Sequence, residues 1–527
     1  MAEALNRDNA GVELAGSRSE PIREVGGADL QTHRNEPDDR NDGKTIHTWT
    51  GPDDRDNPFN WTTFYKWVVT LTVCFISILT GLPAGSYGAG ASYIAERFNV
   101  QNMPIDNTVW ATTSWNMGAA FWPLVFVPMT ESSGGMPGYV GAYIIFVASL
   151  FGSAFAQNFA TILITRFFGG GASSVVINIV GGSIADIWRG DRARSIPMSI
   201  FGFTSVAGIA LGPFMGSMIV QMNRTDPWRW IFYIQIIFNS GKEIYAVSEL
   251  DKPSTINLIK ISFWRPVKML LTEPVVSVFT VWVSFAWGIL LLFFSSVVQT
   301  FESAYGFNIL STRLVQLAIR VGALIATVIN PIQDRLFLQS ARRNSERPGK
   351  PIAEARLYFA IPGSLLFTAG LFWYGWTCRQ SVHWIVPTIA ITAVGIGIYS
   401  IYLGVVNYLT DAYEKFAASA LLAASLGRNS FGAFLPLASQ PLFNDLGFGW
   451  AGSLLGFIGL ALSVAPVVLL FKGPAIRARS PSMREAGYDD DAEEEEQMRR
   501  TNSYGHKHHG PTERRKISLR RQSLPVW

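Results

Sequence analysis

The sequence predicts an all-α polytopic membrane protein of about eleven full spans with a truncated sixth helix. Three observations predict it. Apolar segments of about 20 residues, divided by short polar turns, fill the chain from Phe64 to Phe471. At about 1.5 Å per residue, each matches a hydrocarbon core of about 30 Å, and a helix satisfies its own backbone there. The 16% of residues that are charged collect in two tails and a few loops, which leaves the apolar segments nearly free of charge. Seventeen tryptophans and sixteen tyrosines suit two interfacial belts.

The elements follow in order. Residues 1–60 are polar and read as a disordered cytoplasmic tail. They carry no cleavable signal pattern, so the first span is expected to act as its own uncleaved signal. Spans are expected near 64–86, 108–130, 138–156, 160–187 and 195–221, with a short apolar piece at Trp230–Phe238. A polar stretch then runs to about 273, and further spans lie near 275–300, 312–338, 355–378, 384–410, 415–442 and 448–471. The organisation is an N-terminal helical bundle at 61–239, a cytoplasmic linker at 240–273, a C-terminal helical bundle at 274–472 and a second disordered tail at 473–527.

Basic residues in short loops mark the cytoplasmic side. They gather at Arg189, Arg192 and Arg194, at Lys242 through Lys268, and at Arg335, Arg342, Arg343, Arg347, Lys350 and Arg356. These loops and both tails are expected inside, so the net charge of +4 reports topology rather than a field for nucleic acid. The chain must then return across the membrane between residues 221 and 242. The nine residues Trp230–Phe238 would span only about 14 Å as a helix, under half of the core. We expect that an internal stretch of a longer ancestor is missing close to Asn239–Lys242.

Several motifs resemble the major facilitator superfamily, and specifically the fungal twelve-span drug:proton antiporters. Arg166-Phe167-Phe168-Gly169-Gly170 opens the fourth span, which ends in Gly181-Gly182-Ser183-Ile184-Ala185-Asp186-Ile187-Trp188. Gly208-Ile209-Ala210-Leu211-Gly212-Pro213-Phe214-Met215-Gly216 fits the antiporter motif of the fifth span. Trp228-Arg229-Trp230 resembles the entry to the sixth, Asn407 through Tyr413 closes the tenth, and Arg428-Asn429-Ser430-Phe431-Gly432 lies in the eleventh. The resemblance covers about 58–471 and implies a two-bundle transporter working by alternating access. Two departures stand out. The loop Pro128–Pro137 has Gly135 and Met136 where the family has basic residues, and the body of the sixth span is absent.

Candidate site residues follow. Gly208, Gly212, Pro213 and Gly216 put small residues and a helix break on one stripe, either a packing groove or, as the resemblance implies, a seal on the transport path. Arg166 and Arg428 are charges inside spans, each costly unless it snorkels, pairs or faces a cavity. Arg320, mid-span in the eighth helix, is open between cavity and misfit. Asp186 and Asp411 end the fourth and tenth spans on the inner side, which suits ion pairs made in one gate state and broken in the other, with solvated boundary carboxylates as the alternative. Trp115, Asn116, Asn178, Tyr402 and Asn407 are expected to line an amphiphilic pocket, with helix-packing glue as the alternative for each. Asn223-Arg224-Thr225 is a glycosylation triplet on an expected external loop.

Two cysteines, Cys74 and Cys378, are expected to be small buried hydrophobes. No metal site and no cofactor are expected. His506-Lys507-His508-His509 is a weak signal, and the proton gradient is the energy source that the resemblance implies. The tail from Asp489 to Gln522 passes from an acidic to a basic block, and phosphorylation at Ser518 or Ser523 would shift its attraction to anionic lipid. No cluster of His, Ser or Cys with an acid points to an enzyme. The leading expectation is proton-coupled efflux of small amphiphilic compounds by a monomer in the plasma membrane, with the vacuolar membrane as the alternative. Uptake of a polyamine or other polar nutrient stands beside it, as does a non-transporting product of a mis-spliced gene or a regulatory membrane protein.

Overall fold

Helix α1, Thr63–Phe98, begins where the Thr62 side chain accepts the Tyr65 amide, and ends at Asn99 in the left-handed conformation. Ser, Thr and Asn satisfy orphan amides at helix starts, and the Asn158 side chain does so at 2.7 Å for α4, Phe159–Ile187. Between them lie α2, Trp110–Ser133, and α3, Gly135–Ala154; α5, Asp191–Met222, follows. This geometry comes from a computed structural model that describes residues 57–100, 107–133, 135–188, 191–222, 225–240, 255–344, 351–413 and 416–483.

The next two helices carry the feature that sets this chain apart. Helix α6, Pro227–Ser240, has 14 residues, about 21 Å of rise against a core of about 30 Å. It is longer than the nine apolar residues and still too short to cross. A helix end at membrane depth exposes carbonyls that lipid cannot satisfy. Here Tyr143 of α3 sits 3.0 Å from both the Asn239 carbonyl and its side-chain oxygen. Asn239 in turn donates to the Gln235 carbonyl, and Gln235 donates to Ser86 Oγ at 2.7 Å. The last described turn of the stub is thus tied to α3 and α1, with the Gln235 side-chain oxygen buried and without a partner. Helix α7, Thr255–Thr272, follows inside the expected polar linker and packs against both α2 and α13, across the seam between the halves. Its apolar residues were diluted by lysines and asparagine, which is why the sequence read as linker.

The second half comprises α8, Pro274–Tyr305; α9, Ile309–Gln316; α10, Ala318–Ser340; α11, Ala360–Thr377; α12, Ile385–Tyr413; α13, Ala417–Phe434; and α14, Ser439–Arg477. Helices α9 and α10 form one crossing with a break at Leu317. Helix α13 stops before Pro436, earlier than the expected 442, and α14 is interrupted at Gly447, whose φ of 70° favours glycine. Eight stretches are long and apolar enough to cross a membrane among the described residues. The last contains both α13 and the apolar part of α14, and α2 with 24 residues and α3 with 20 are long enough to bring the crossings among the described residues to eleven beside the α6 stub.

The helices fall into two bundles. In the first, α1 packs on α5 and α4 packs on α2 and α3; in the second, α11 packs on α12 and α14, α8 on α13 and α10 on α12. Separate apolar cores fill them. Cys74 and Cys378 are free and buried, as expected. Bundle meets bundle along α2 against α13 and α5 against α9 and α10. We call the inner end the one where α1 starts and α14 finishes. There the buried Glu273, between α7 and α8, accepts hydrogen bonds from Ser480 Oγ at 2.7 Å, Ser482 N at 3.3 Å and Tyr413 at 3.4 Å. The first residues past α14 are thus docked on the inner face.

Candidate cavity between the bundles

A cavity of about 380 Å³ lies between the bundles, within the range of small-molecule sites. Trp115 and Asn116 of α2 and Asn178 of α4 line it from the first half. Tyr402 and Asn407 of α12 and Arg428 of α13 line it from the second. All five positions named from sequence as pocket candidates meet here. Trp287 and Asn429 line it too, and the sequence did not single out Trp287 because one more tryptophan in an apolar span carries no signal. The arginine lies 4.7 Å from the Trp287 ring centre and 5.3 Å from that of Tyr402.

At the outer end the bundles are tied together. Thr113 of α2 donates to the Ala433 carbonyl of α13 at 2.7 Å, and Asn429 donates to the Ala119 carbonyl at 3.0 Å. Arg313 of α9 reaches the Gly88 carbonyl of α1 at 3.1 Å. Toward the inner end the lining continues through Thr410, Asp411 and Ala418. The cavity faces inward. Its mouth is narrowed by a polar network that also crosses the halves. Asn330 of α10 donates to Ser199 of α5 at 2.7 Å and to Asp334 at 3.3 Å. Arg356 pairs with Asp334 at 3.4 Å and with Asp411 at 2.7 Å. The sequence offered Asp411 as a gate acid but read Arg356 only as a topology charge, so its partner was missed.

The profile of the Major Facilitator Superfamily matches residues 73–436. The chain belongs to the major facilitator superfamily. It is similar to the MFS-type transporter penM of Penicillium rubens, at 31% identity over 88% of this chain and 96% of the relative. It is also 31% identical to the citrinin biosynthesis cluster MFS transporter of Monascus ruber, over 87% and 97%. A multidrug transporter of Candida glabrata is 29% identical over 82% and 80%. Among solved structures, the xylose transporter XylE of E. coli in a partially occluded inward-open conformation superposes with a TM-score of 0.54 at 14% identity, over 77% and 98%. That likeness shows the fold alone. At this level the chain is a transporter embedded in a membrane, not an enzyme.

Other candidates within this superfamily fold sit away from the cavity. Arg166 is buried and lines none of it. Its Nε donates to the Ala111 carbonyl at 2.8 Å and its NH1 to the Pro83 carbonyl at 3.2 Å. It also lies 4.5 Å from the Tyr87 ring centre and 5.0 Å from that of Trp115. It neither snorkels nor faces a path, but braces α1, α2 and α4 behind a cavity wall. Gly208, Gly212 and Gly216 turn their missing side chains to the α1 backbone, and Gly81 and Gly85 of α1 face back. The stripe, with the buried Pro213, is thus a seam inside the first bundle rather than between the bundles. Arg320 is buried, and none of its three guanidinium nitrogens has a hydrogen-bond partner. Asp186 ends α4, with its side chain outside the described set, and Asn223 lies outside the described residues.

Proposed function

We propose that this protein exports small amphiphilic compounds by alternating access, driven by inward proton flow. The observation that carries the reading is the inward-facing cavity, with tryptophan and tyrosine faces for an apolar body and asparagine amides for orientation. The outer hydrogen bonds between the bundles and the inner Ser199–Asn330 contact are the two sets of contacts that a rocking motion would break in turn, and Asp334, which accepts from Asn330 and pairs with Arg356, links that contact to Asp411 within the second bundle. In this reading Asp411 and Arg356, both of the second bundle, position Asn330 through Asp334 at the inner gate. Gly208, Gly212, Pro213 and Gly216 let α1 and α5 move as one body, and Arg166 holds the cavity wall rigid. Similarity to a transporter of a biosynthesis cluster and to a multidrug transporter supports a secondary metabolite or drug as cargo. The three arginines and two aspartates of the lining argue against a polyamine. Both tails and the 335–356 loop face the cytoplasm in this account, at the plasma membrane. The test is efflux of a fluorescent amphiphile from an export-deficient yeast host. Expression should lower retained probe and a protonophore should abolish the effect. Retention equal to that of the empty host at confirmed surface expression would reject the function.

A further inference from the structure

Arg428 has donors to spare among the described residues. Its one described hydrogen bond is NH2 to Ser425 Oγ at 3.3 Å, and its Nε is buried without a partner. Among the described residues no carboxylate pairs with it. The cavity's two aspartates are held by Arg356 at the mouth. Arg428 lies eleven residues beyond Ala417, the inner start of α13, which puts it about 16 Å up the helix from that end. Trp287 and Tyr402 stabilise a cation by their ring faces but do not neutralise it. A half-buried, uncompensated guanidinium is costly, and its planar fork matches a carboxylate with two parallel hydrogen bonds. Arg166 shows the contrast. A tyrosine and a tryptophan ring flank it too, but two backbone carbonyls accept from its Nε and NH1, only NH2 lacks a partner, and it lines none of the cavity, so no cargo reaches it.

The amides complete the picture. Asn116, Asn178 and Asn429 each spend their NH2 group on a backbone carbonyl, of Thr112, Ser174 and Ala119, at 2.9, 2.7 and 3.0 Å. The partner in each case is an acceptor, so the nitrogen must face it and the side-chain oxygen is left to accept. We propose that the cargo is an organic acid: an amphiphile whose carboxylate or similar oxyanion seats on Arg428, with its apolar body against Trp287 and Tyr402 and a hydroxyl or N–H toward the asparagine oxygens. This rests on the transport reading above and names the charge of what that cavity takes.

The test uses the purified full chain and three matched fluorescent probes: naphthalene-2-carboxylate, naphthalene-2-carboxamide and 2-naphthylmethylammonium. The carboxylate should bind about tenfold tighter than the carboxamide, the scale of one charge-assisted contact. Arg428→Gln should bring the carboxylate to the carboxamide's affinity, Arg428→Lys should recover part of the preference, and thermal melts of all three proteins report their folding. A carboxamide or ammonium probe that binds as tightly as the carboxylate, or a preference that survives in a folded Arg428→Gln protein, overturns the proposal. If none of the three binds, the small-amphiphile reading itself fails and takes the proposal with it; that result differs from a charge failure, in which the other probes still bind.

Discussion

Replacing Gly212 with leucine should uncouple transport from membrane insertion. A Cβ at this position would stand 2.5 Å from the Leu82 carbonyl oxygen, 2.5 Å from the Ser86 nitrogen and 2.8 Å from the Gly85 carbonyl carbon. All three are α1 backbone atoms, so no rotamer can relieve the clash. Ordinary contact needs about 3.5 Å, which requires α1 and α5 to part by about 1 Å before the rest of the leucine is placed. A gap of that size forfeits up to about half of the dispersion well along the seam, and overpacking of this kind costs roughly 1–3 kcal/mol or more. The displaced wall carries Ile209 and Ser199, which line the cavity. Gly141 in α3 is the control, because a Cβ there meets nothing within 4 Å. Gly141→Leu should melt at or above the parent temperature, since glycine in a helix costs roughly 0.5–1 kcal/mol. The assay pairs thermal unfolding in detergent with probe efflux at matched surface expression. Gly212→Leu should melt lower and export at background. If it matches Gly141→Leu in both readouts, the close-packed seam is not what the helices require.

Three further outcomes are expected. Arg356→Gln should lower efflux at least tenfold, because breaking a buried pair costs roughly 3–5 kcal/mol and this pair, with side chains 12% and 22% exposed, sits at the low end. Exchanging the charges at Arg356 and Asp411 should recover more than either single change, and no recovery in a double-mutant cycle contradicts the pairing. Tyr143→Phe strands the carbonyl at the end of the α6 stub at a cost of roughly 1–3 kcal/mol; an unchanged melting temperature would show that the Tyr143–Asn239 contact does not hold the stub. Asn223→Gln should remove an endoglycosidase-sensitive shift in mobility, and an identical shift in parent and variant would place the glycan elsewhere or the loop inside.

Hydropathy made the crossings legible because lipid forces every spanning helix to be long and apolar, and the shortfall at residues 230–238 was legible for the same reason. The five pocket positions could be named because a polar or amphipathic side chain inside a span needs a reason to be there. What escaped was pairing. Arg356 counts as one more basic loop residue until the Ala353–Leu357 turn brings it to Asp334 and Asp411. Arg166 and Arg428 look alike along the chain, and only packing separates the one held by two carbonyls behind the cavity wall from the one that lines the cavity. Helix α7 was hidden because an amphipathic surface helix has no long apolar run to betray it. We propose that the sixth helix is short because a stretch near Asn239–Lys242 is lost through alternative splicing or a mistaken gene model, which a longer transcript across these codons would support and a straight-through transcript in every sample would refute.

The most direct test of proton-driven export through this cavity is accumulation of naphthalene-2-carboxylate in proteoliposomes whose protein has its inner face outward, with the lumen made acidic and proton release followed by a trapped pH dye. The account predicts uptake that requires the gradient, alkalinises the lumen as substrate enters and vanishes with a protonophore. Uptake of the same extent with no gradient, or a pH gradient that runs down no faster when substrate is added, would contradict it.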